Sequence, residues 1–149
     1  MEKALIVWKA EYCLGLAEID AQHASLVALI NRIWKSIIDK SEAPAVLSIV
    51  DELEKYTIAH FSAEENFMRA TGYPGLAAHH LAHQEFVTRI AEEKKRAQIT
   101  GSLSIDLAHF LRDWLLNHIL VADRLYAAHT AQDQKTRGSL ISRFFRRFL

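Results

Sequence analysis

The sequence predicts an all-α protein: an up-down-up-down antiparallel four-helix bundle with an N-terminal arm and a short extra C-terminal amphipathic helix. Three observations predict it. Apolar residues recur three and four apart in four long segments. The connections between those segments are short, which makes neighbouring helices antiparallel. Gly and Pro number only 5 and 2, too few for an all-β fold with many tight turns. The 149 residues suit one domain with a sizeable core.

Residues 1–17 read as an irregular arm with Trp8, Tyr12 and Leu14 available for packing. The first helix runs from Ile19 to about Asp39, with Leu26, Leu29, Ile30, Ile33, Trp34 and Ile37 inward. Ser41-Glu42-Ala43-Pro44 breaks it, and Pro44 suits the first turn of the next helix. That second helix carries Leu47, Val50, Leu53, Tyr56, Phe61 and Phe67 to about Thr71, where Gly72 is placed to end it. Tyr73-Pro74-Gly75 makes a turn. The third helix should bury Leu76, Leu81, Phe86, Val87 and Ile90 and expose the run from Glu92 to Arg96 as solvated charge. Gly101 and Ser102 break it. The fourth starts near Ser104 and carries Leu107, Leu111, Trp114, Leu115, Ile119 and Leu125.

The formal net charge of zero hides an asymmetry. Five of the 18 basic residues (Lys135, Arg137, Arg143, Arg146 and Arg147) lie in the last fifteen positions, with no Asp or Glu. The remaining 13 basic and 18 acidic residues give residues 1–134 a net charge of −5. Ile141, Phe144, Phe145 and Phe148 recur three and four apart opposite the arginines. Residues 131–149 therefore form a second unit after the bundle of residues 1–130. It is a basic amphipathic tail whose segment 135–149 is suited to folding back onto the acidic bundle of its own or a neighbouring copy, to an anionic membrane surface or to an acidic protein partner. Nucleic acid is not an expected partner. Cys13 is alone, so no disulfide forms within the chain, which fits a reducing cytoplasm. The N-terminus lacks a signal-peptide apolar run, and no stretch nears the ~20 apolar residues of a membrane span.

Seven side chains carry the chemistry: His23, His60 with Glu64, His79 with His83, and His118 with Asp123. Two of the pairs are four residues apart, so each stacks on one helix face. His23 is early in the first helix, His60 and Glu64 late in the second, His79 and His83 at the start of the third, and His118 and Asp123 late in the fourth. Alternating helix directions bring all four positions to one end of the bundle. A single histidine on an apolar face is ordinarily a core residue. The joint arrangement instead indicates metal ligands. Five imidazoles and two carboxylates exceed the four ligands of a usual Zn²⁺ site and suit two ions sharing carboxylate bridges. His80, His109 and His129 fall off these faces and read as surface or packing histidines.

His118 and Asp123 are five apart, about 140° on an ideal helix. Both reach one site only if the helix widens, so a π-type distortion is expected between them. Imidazoles with carboxylates suit Fe, Zn, Mn or Ni. Oxidising di-iron bundles typically use paired Glu-x-x-His motifs, and this chain has none. A histidine-rich shell suits a redox step that stops at the ferric state and reverses.

Ile19-Asp20-Ala21-Gln22-His23, His60-Phe61-Ser62-Ala63-Glu64-Glu65, Tyr73-Pro74 followed by His79 and His83, and Trp114-Leu115-Leu116-Asn117-His118 with Asp123 together resemble the hemerythrin family, in particular its single-domain bacterial members. The resemblance covers roughly residues 5–130. It implies a cofactor of two Fe ions (Fe²⁺/Fe³⁺) with an oxo or hydroxo bridge, and O₂ as ligand. By that resemblance His79, His83 and His118 hold one iron, His23 and His60 the other, and Glu64 and Asp123 bridge both. Leu26, Phe61, Trp114, Leu115 and Ile119 lie within four residues of ligands and are the expected lining of a dry O₂ pocket. Asp20, Gln22, Glu65 and Asn117 are candidate partners for the ligand imidazoles. The resemblance also makes the tail a departure from the family's usual length.

The function expected from the sequence is reversible O₂ binding for storage or transport to an oxygen-consuming enzyme, in the cytoplasm and peripheral to the inner membrane face. It is binding rather than enzymatic. Two alternatives stand beside it: an O₂ or redox sensor acting through a partner, and a di-iron scavenger of nitric oxide or peroxide.

Overall fold

The computed structural model describes residues 3–132. Four helical rods fill this range: α1 Ala17–Ile38, α2 Ala43–Thr71, α3 Leu76–Thr100, and a fourth built from α4 Ile105–Asn117, a π-helical turn His118–Asp123 and α5 Arg124–Gln132. No strand occurs among the described residues. α2 packs on α1 and α3, and α4 returns beside α1. The basic amphipathic helix expected over 135–149 lies outside the described residues. Among those residues no helix is long and apolar enough to cross a membrane.

The helix ends follow local chemistry. Pro44 occupies the first turn of α2, where no intrahelical N–H is required of it. Gly72 ends α2 in the left-handed region (φ 69°), and the Tyr73 N–H reaches back to the Met68 carbonyl (2.9 Å). Gly101 does the same for α3 at φ 77°. Ser104 caps α4 by accepting from the Leu107 N–H (3.1 Å).

Leu26, Ile30, Ile33, Leu53, Phe86, Ile90, Leu107 and Leu111 are fully buried along the bundle axis. Tyr12 joins this core, with Trp8 and Leu14 packed against it, as expected of the arm. Ile6, which the sequence did not single out, is also buried. The Asn31 side chain pins it on both sides: the Ile6 N–H donates to Asn31 Oδ1 (2.9 Å), and Asn31 Nδ2 donates to the Ile6 carbonyl (2.8 Å). At about 1 kcal/mol net per hydrogen bond, Asn31→Ala should cost about 1–3 kcal/mol. A urea midpoint lowered with an unchanged slope, and faster amide exchange at Ile6, would show that the arm has been released.

Three expectations are corrected. Leu81 is 69% exposed. The inward stripe of α3 runs His79, His83, Phe86, Ile90, Glu93 and Ala97, and two residues past His79 is about 200° round the helix. Leu125 is 62% exposed. The inward residues around it are Ile119, Asp123, Tyr126 and Thr130, so the wide turn sets a new phase. Glu93 is not solvated charge but 2% exposed. It sits on the α3 stripe and is neutralised by Arg96 Nη1 (2.9 Å) and Arg89 Nε (3.4 Å).

Candidate metal centre

The four rods deliver all seven side chains to one buried locus. Glu64, His79, His83, His118 and Asp123 each place a donor atom within 4.8 Å of one another, and His23, His60 and Glu64 form an adjoining group. The two carboxylates face both ways. Glu64 Oε1 lies 2.6 Å from His79 Nε2 and 3.4 Å from His83 Nε2, while Oε2 lies 3.4 Å from His60 Nε2. Asp123 Oδ1 lies 3.0 Å from His79 Nε2 and 3.1 Å from His118 Nε2, while Oδ2 lies 3.1 Å from His23 Nε2. Three imidazoles stand on one side of the pair and two on the other.

The π-helical turn makes this geometry possible. It spans His118 to Asp123, so the wider turn carries the fifth residue back over the first. Asp123 would otherwise point well round the helix from His118.

The rings are held from outside the cluster. Phe61 stacks on His83 at 3.9 Å between centroids and 3° between planes, and Trp114 stacks on His118 at 4.5 Å and 14°. His60 Nδ1–H donates to Gln22 Oε1, and His83 Nδ1–H donates to Glu65 Oε2 (2.7 Å). Of the four candidate imidazole partners, Gln22 and Glu65 therefore serve. Asp20 does not, because its carboxylate accepts from the Leu14 and Gly15 N–H groups (2.8 and 3.2 Å). Asn117 is exposed. Leu26, Phe61, Leu115 and Ile119 are buried and Trp114 half-buried.

The remaining histidines behave mostly as expected. His109 is half-buried and stacks on Trp34 at 5.9 Å. His129 packs against Tyr73 at 5.1 Å. His80 is half exposed, yet its Nδ1–H donates to Glu65 Oε1 (2.5 Å). Tyr126 is a further residue that sequence reasoning missed. Its buried ring lies edge-on to His79 at 6.5 Å and to Tyr73 at 5.4 Å. The only signal for it was the phase shift after the π turn.

Burial penalises ionisation of Glu64, and so does the Asp123 charge. Hydrogen bonds from His79 and His83 and attraction to His60 outweigh both and draw its pKa down to about 2. Burial likewise opposes the Asp123 charge, but His118, His23 and His79 hold its pKa well below the ordinary value. Burial pushes His60 down to about 4. Burial also opposes protonation of His79, yet Asp123 and Glu64 raise it to about 10. The two carboxylates and His60 are thus drawn toward the forms that ligate metals, while His79 and His23 are drawn toward protonation, which a metal there would have to overcome.

The donor set fits a metal pair. His23 Nδ1 and Nε2, Glu64 Oε2 and both Asp123 oxygens are buried without a hydrogen-bond partner. The short approaches to His23 and Asp123 lack hydrogen-bond alignment. His83 Nε2 and His118 Nε2 face each other at 3.1 Å. Buried polar atoms left without partners are costly. Their concentration around two buried carboxylates is what divalent cations would satisfy.

A family model, the hemerythrin HHE cation binding domain, matches residues 14–129. The bacteriohemerythrin of Stenotrophomonas maltophilia is 35% identical over 97% of this chain and 98% of its own length. That of Pseudomonas aeruginosa is 32% identical over the same shares. That of Methylococcus capsulatus is 32% identical over 83% of this chain and 95% of its own. A crystal structure of wild-type hemerythrin superposes with a TM-score of 0.77 and 30% identity, covering 84% of this chain and 97% of that one. The first two relatives correct the expectation about the tail. They match 97% of this chain, so their similarity runs into residues 131–149, whereas the Methylococcus capsulatus relative, matched over 95% of its own length, covers 83% of this chain; the extension is shared with some members and is not general.

Proposed function

The chain belongs to the hemerythrin family, and from that premise we propose that it binds O₂ reversibly at a non-haem di-iron centre held by the seven clustered side chains. His79, His83 and His118 would hold one iron, His23 and His60 the other, with Glu64 and Asp123 bridging. An iron pair held there would supply the reversible redox chemistry that O₂ binding needs. The observation that carries this reading is the two-way placement of the carboxylates, each with one oxygen toward either histidine group.

The chain's own residues supply selectivity and reversibility. The two-histidine side has one protein ligand fewer, and O₂ would enter there. Leu26, Phe61, Leu115 and Ile119, with Trp114, would keep the pocket dry. A site closed to outside proton donors keeps reduced oxygen from leaving as peroxide. Gln22 and Glu65 hold His60 and His83 with Nδ1–H outward and the Nε2 lone pair toward the metals. The histidine-rich shell favours binding over oxidation of a substrate.

The role we assign is storage of O₂, or its transport to an oxygen-consuming enzyme, in the cytoplasm. The basic segment 135–149 would bring the protein to an anionic membrane face or an acidic partner.

Cycling tests the reading. The protein is reduced without air, exposed to O₂ and then evacuated, while the visible charge-transfer bands are followed. Bands that appear and vanish over repeated cycles are the expected result. A single irreversible change to the oxidised form would overturn the carrier and favour the sensor or the scavenger.

A further inference from the structure

Glu65 is a nearly buried carboxylate outside the seven-residue cluster, and both its oxygens are engaged. Oε2 accepts from His83 Nδ1 (2.7 Å) and Oε1 accepts from His80 Nδ1 (2.5 Å). The His80 side chain is 50% exposed. These three side chains form a continuous line from the protein surface to an imidazole whose Nε2 faces the cluster, 3.4 Å from Glu64 Oε1.

We propose that His80 is a positioning residue for the metal centre: it anchors Glu65 in the orientation that fixes His83 with its proton on Nδ1 and its lone pair on Nε2. The proposal rests on the di-iron reading above. It follows from what each neighbour can and cannot do. Phe61 lies parallel to the His83 ring at 3.9 Å, which fixes the plane of that ring. Stacking does not distinguish the two faces of a flipped imidazole, nor which nitrogen carries the proton. An acceptor at Nδ1 does both, and Glu65 is that acceptor.

Glu65 needs holding in its turn. It follows Glu64 on α2, so it points about 100° away, toward α3 and not along the bundle axis. A carboxylate withdrawn from water with one donor would swing out to solvent to regain hydration. His80, one residue past His79 on α3, supplies the second donor from the solvent side. It is the outer member of a link in which Glu65 is the inner one.

The test uses the metal-free full chain titrated with Co²⁺ against a competing chelator, a readout independent of O₂ binding. Outer partners of ligand imidazoles are typically worth about 10–100-fold in metal affinity. Glu65→Gln should fall in that range and His80→Ala near its lower end, about 10-fold. The double variant should bind no more weakly than Glu65→Gln alone, because both act through one link. His80→Asn places an N–H near the position of Nδ1 and should recover most of the loss. In the Co²⁺ form, the paramagnetically shifted His83 ring N–H proton should move in His80→Ala and return in His80→Asn. Wild-type affinity in His80→Ala, additive losses in the double variant, or no rescue by Asn would each overturn the proposal. Two ions bound per wild-type chain with His80→Ala unchanged removes this proposal alone. Fewer than two in the wild type removes the di-iron reading as well.

Discussion

Glu64→Ala should purify with less than half the iron of the wild type and should not regain it on reconstitution. Glu64 is buried, and its two oxygens reach His79, His83 and His60 from opposite sides. On the di-iron reading alanine removes one of two carboxylate bridges, so two cations would share a single carboxylate, Asp123, among neutral imidazoles. The loss should exceed the ~100-fold upper figure for an outer-shell partner, because here the bridge itself is gone. The metal-free protein is affected as well. His79, drawn up to about 10 by Asp123 and Glu64 together, loses one of the two charges that hold its proton. Glu64→Gln keeps the side-chain volume and separates lost ligation from a collapsed cavity. Glu52→Ala, on an exposed carboxylate paired with Arg32, should keep all its iron. Colorimetric iron per chain decides the matter, and two irons retained in both Glu64 variants would remove Glu64 from the bridge.

The seven clustered side chains were legible because helices impose fixed angular spacing on chemically distinctive residues. Pairs four apart need no tertiary information, and the five-residue gap between His118 and Asp123 implied its own distortion, which the π-helical turn realises. Helix ends were legible where one residue type dominates the backbone choice, as at Pro44, Gly72 and Gly101. The misreadings have a common cause. Leu81 and Leu125 are apolar and Glu93 is charged, so composition placed them on the wrong faces. The helix phase, fixed by packing against the neighbouring rods, placed them correctly. Asp20 and Gln22 both lie within three residues before His23. Only the path of the arm assigns Asp20 to the backbone at Leu14 and Gly15 and leaves Gln22 for His60. Ile6 was hidden for the same reason, since its partner Asn31 lies 25 residues away.

Burying seven potential ligands is costly without metal, so on the di-iron reading metal uptake would be coupled to folding. Ions that bind only the folded chain raise its apparent stability by mass action. The metal-bound form should therefore melt above the metal-free form, by a margin that grows with the iron supplied. The apolar core sets the stability that remains when the metal is gone, and one ring belongs to both the core and the site.

Phe61→Ala should lower the stability of the metal-free chain by about 3–5 kcal/mol, the usual cost of truncating a buried Phe, and should also shorten the life of the O₂-bound state. Phe61 is buried in the main core. It stacks on His83 and stands 5.7 Å from Phe86 and from His60, 5.8 Å from Trp114 and 6.3 Å from His118. Its removal opens a cavity between the core and two histidine groups. A cavity bordered by polar ring atoms is one that water can enter, and water there is the proton source that the proposed pocket would exclude. Phe61→Leu refills most of the volume without the ring face. It should recover much of the stability and most of the dryness, but not the ring-plane restraint on His83. Urea unfolding of the metal-free proteins reads the first effect, as a lowered midpoint at unchanged slope. The decay of the O₂-bound spectrum to the oxidised form reads the second, expected to be at least several-fold faster in Phe61→Ala and intermediate in Phe61→Leu. If Phe61→Ala loses stability and the decay rate stays at the wild-type value, Phe61 is a core residue only and dryness is kept by other side chains, with Leu26, Leu115 and Ile119 next to be truncated.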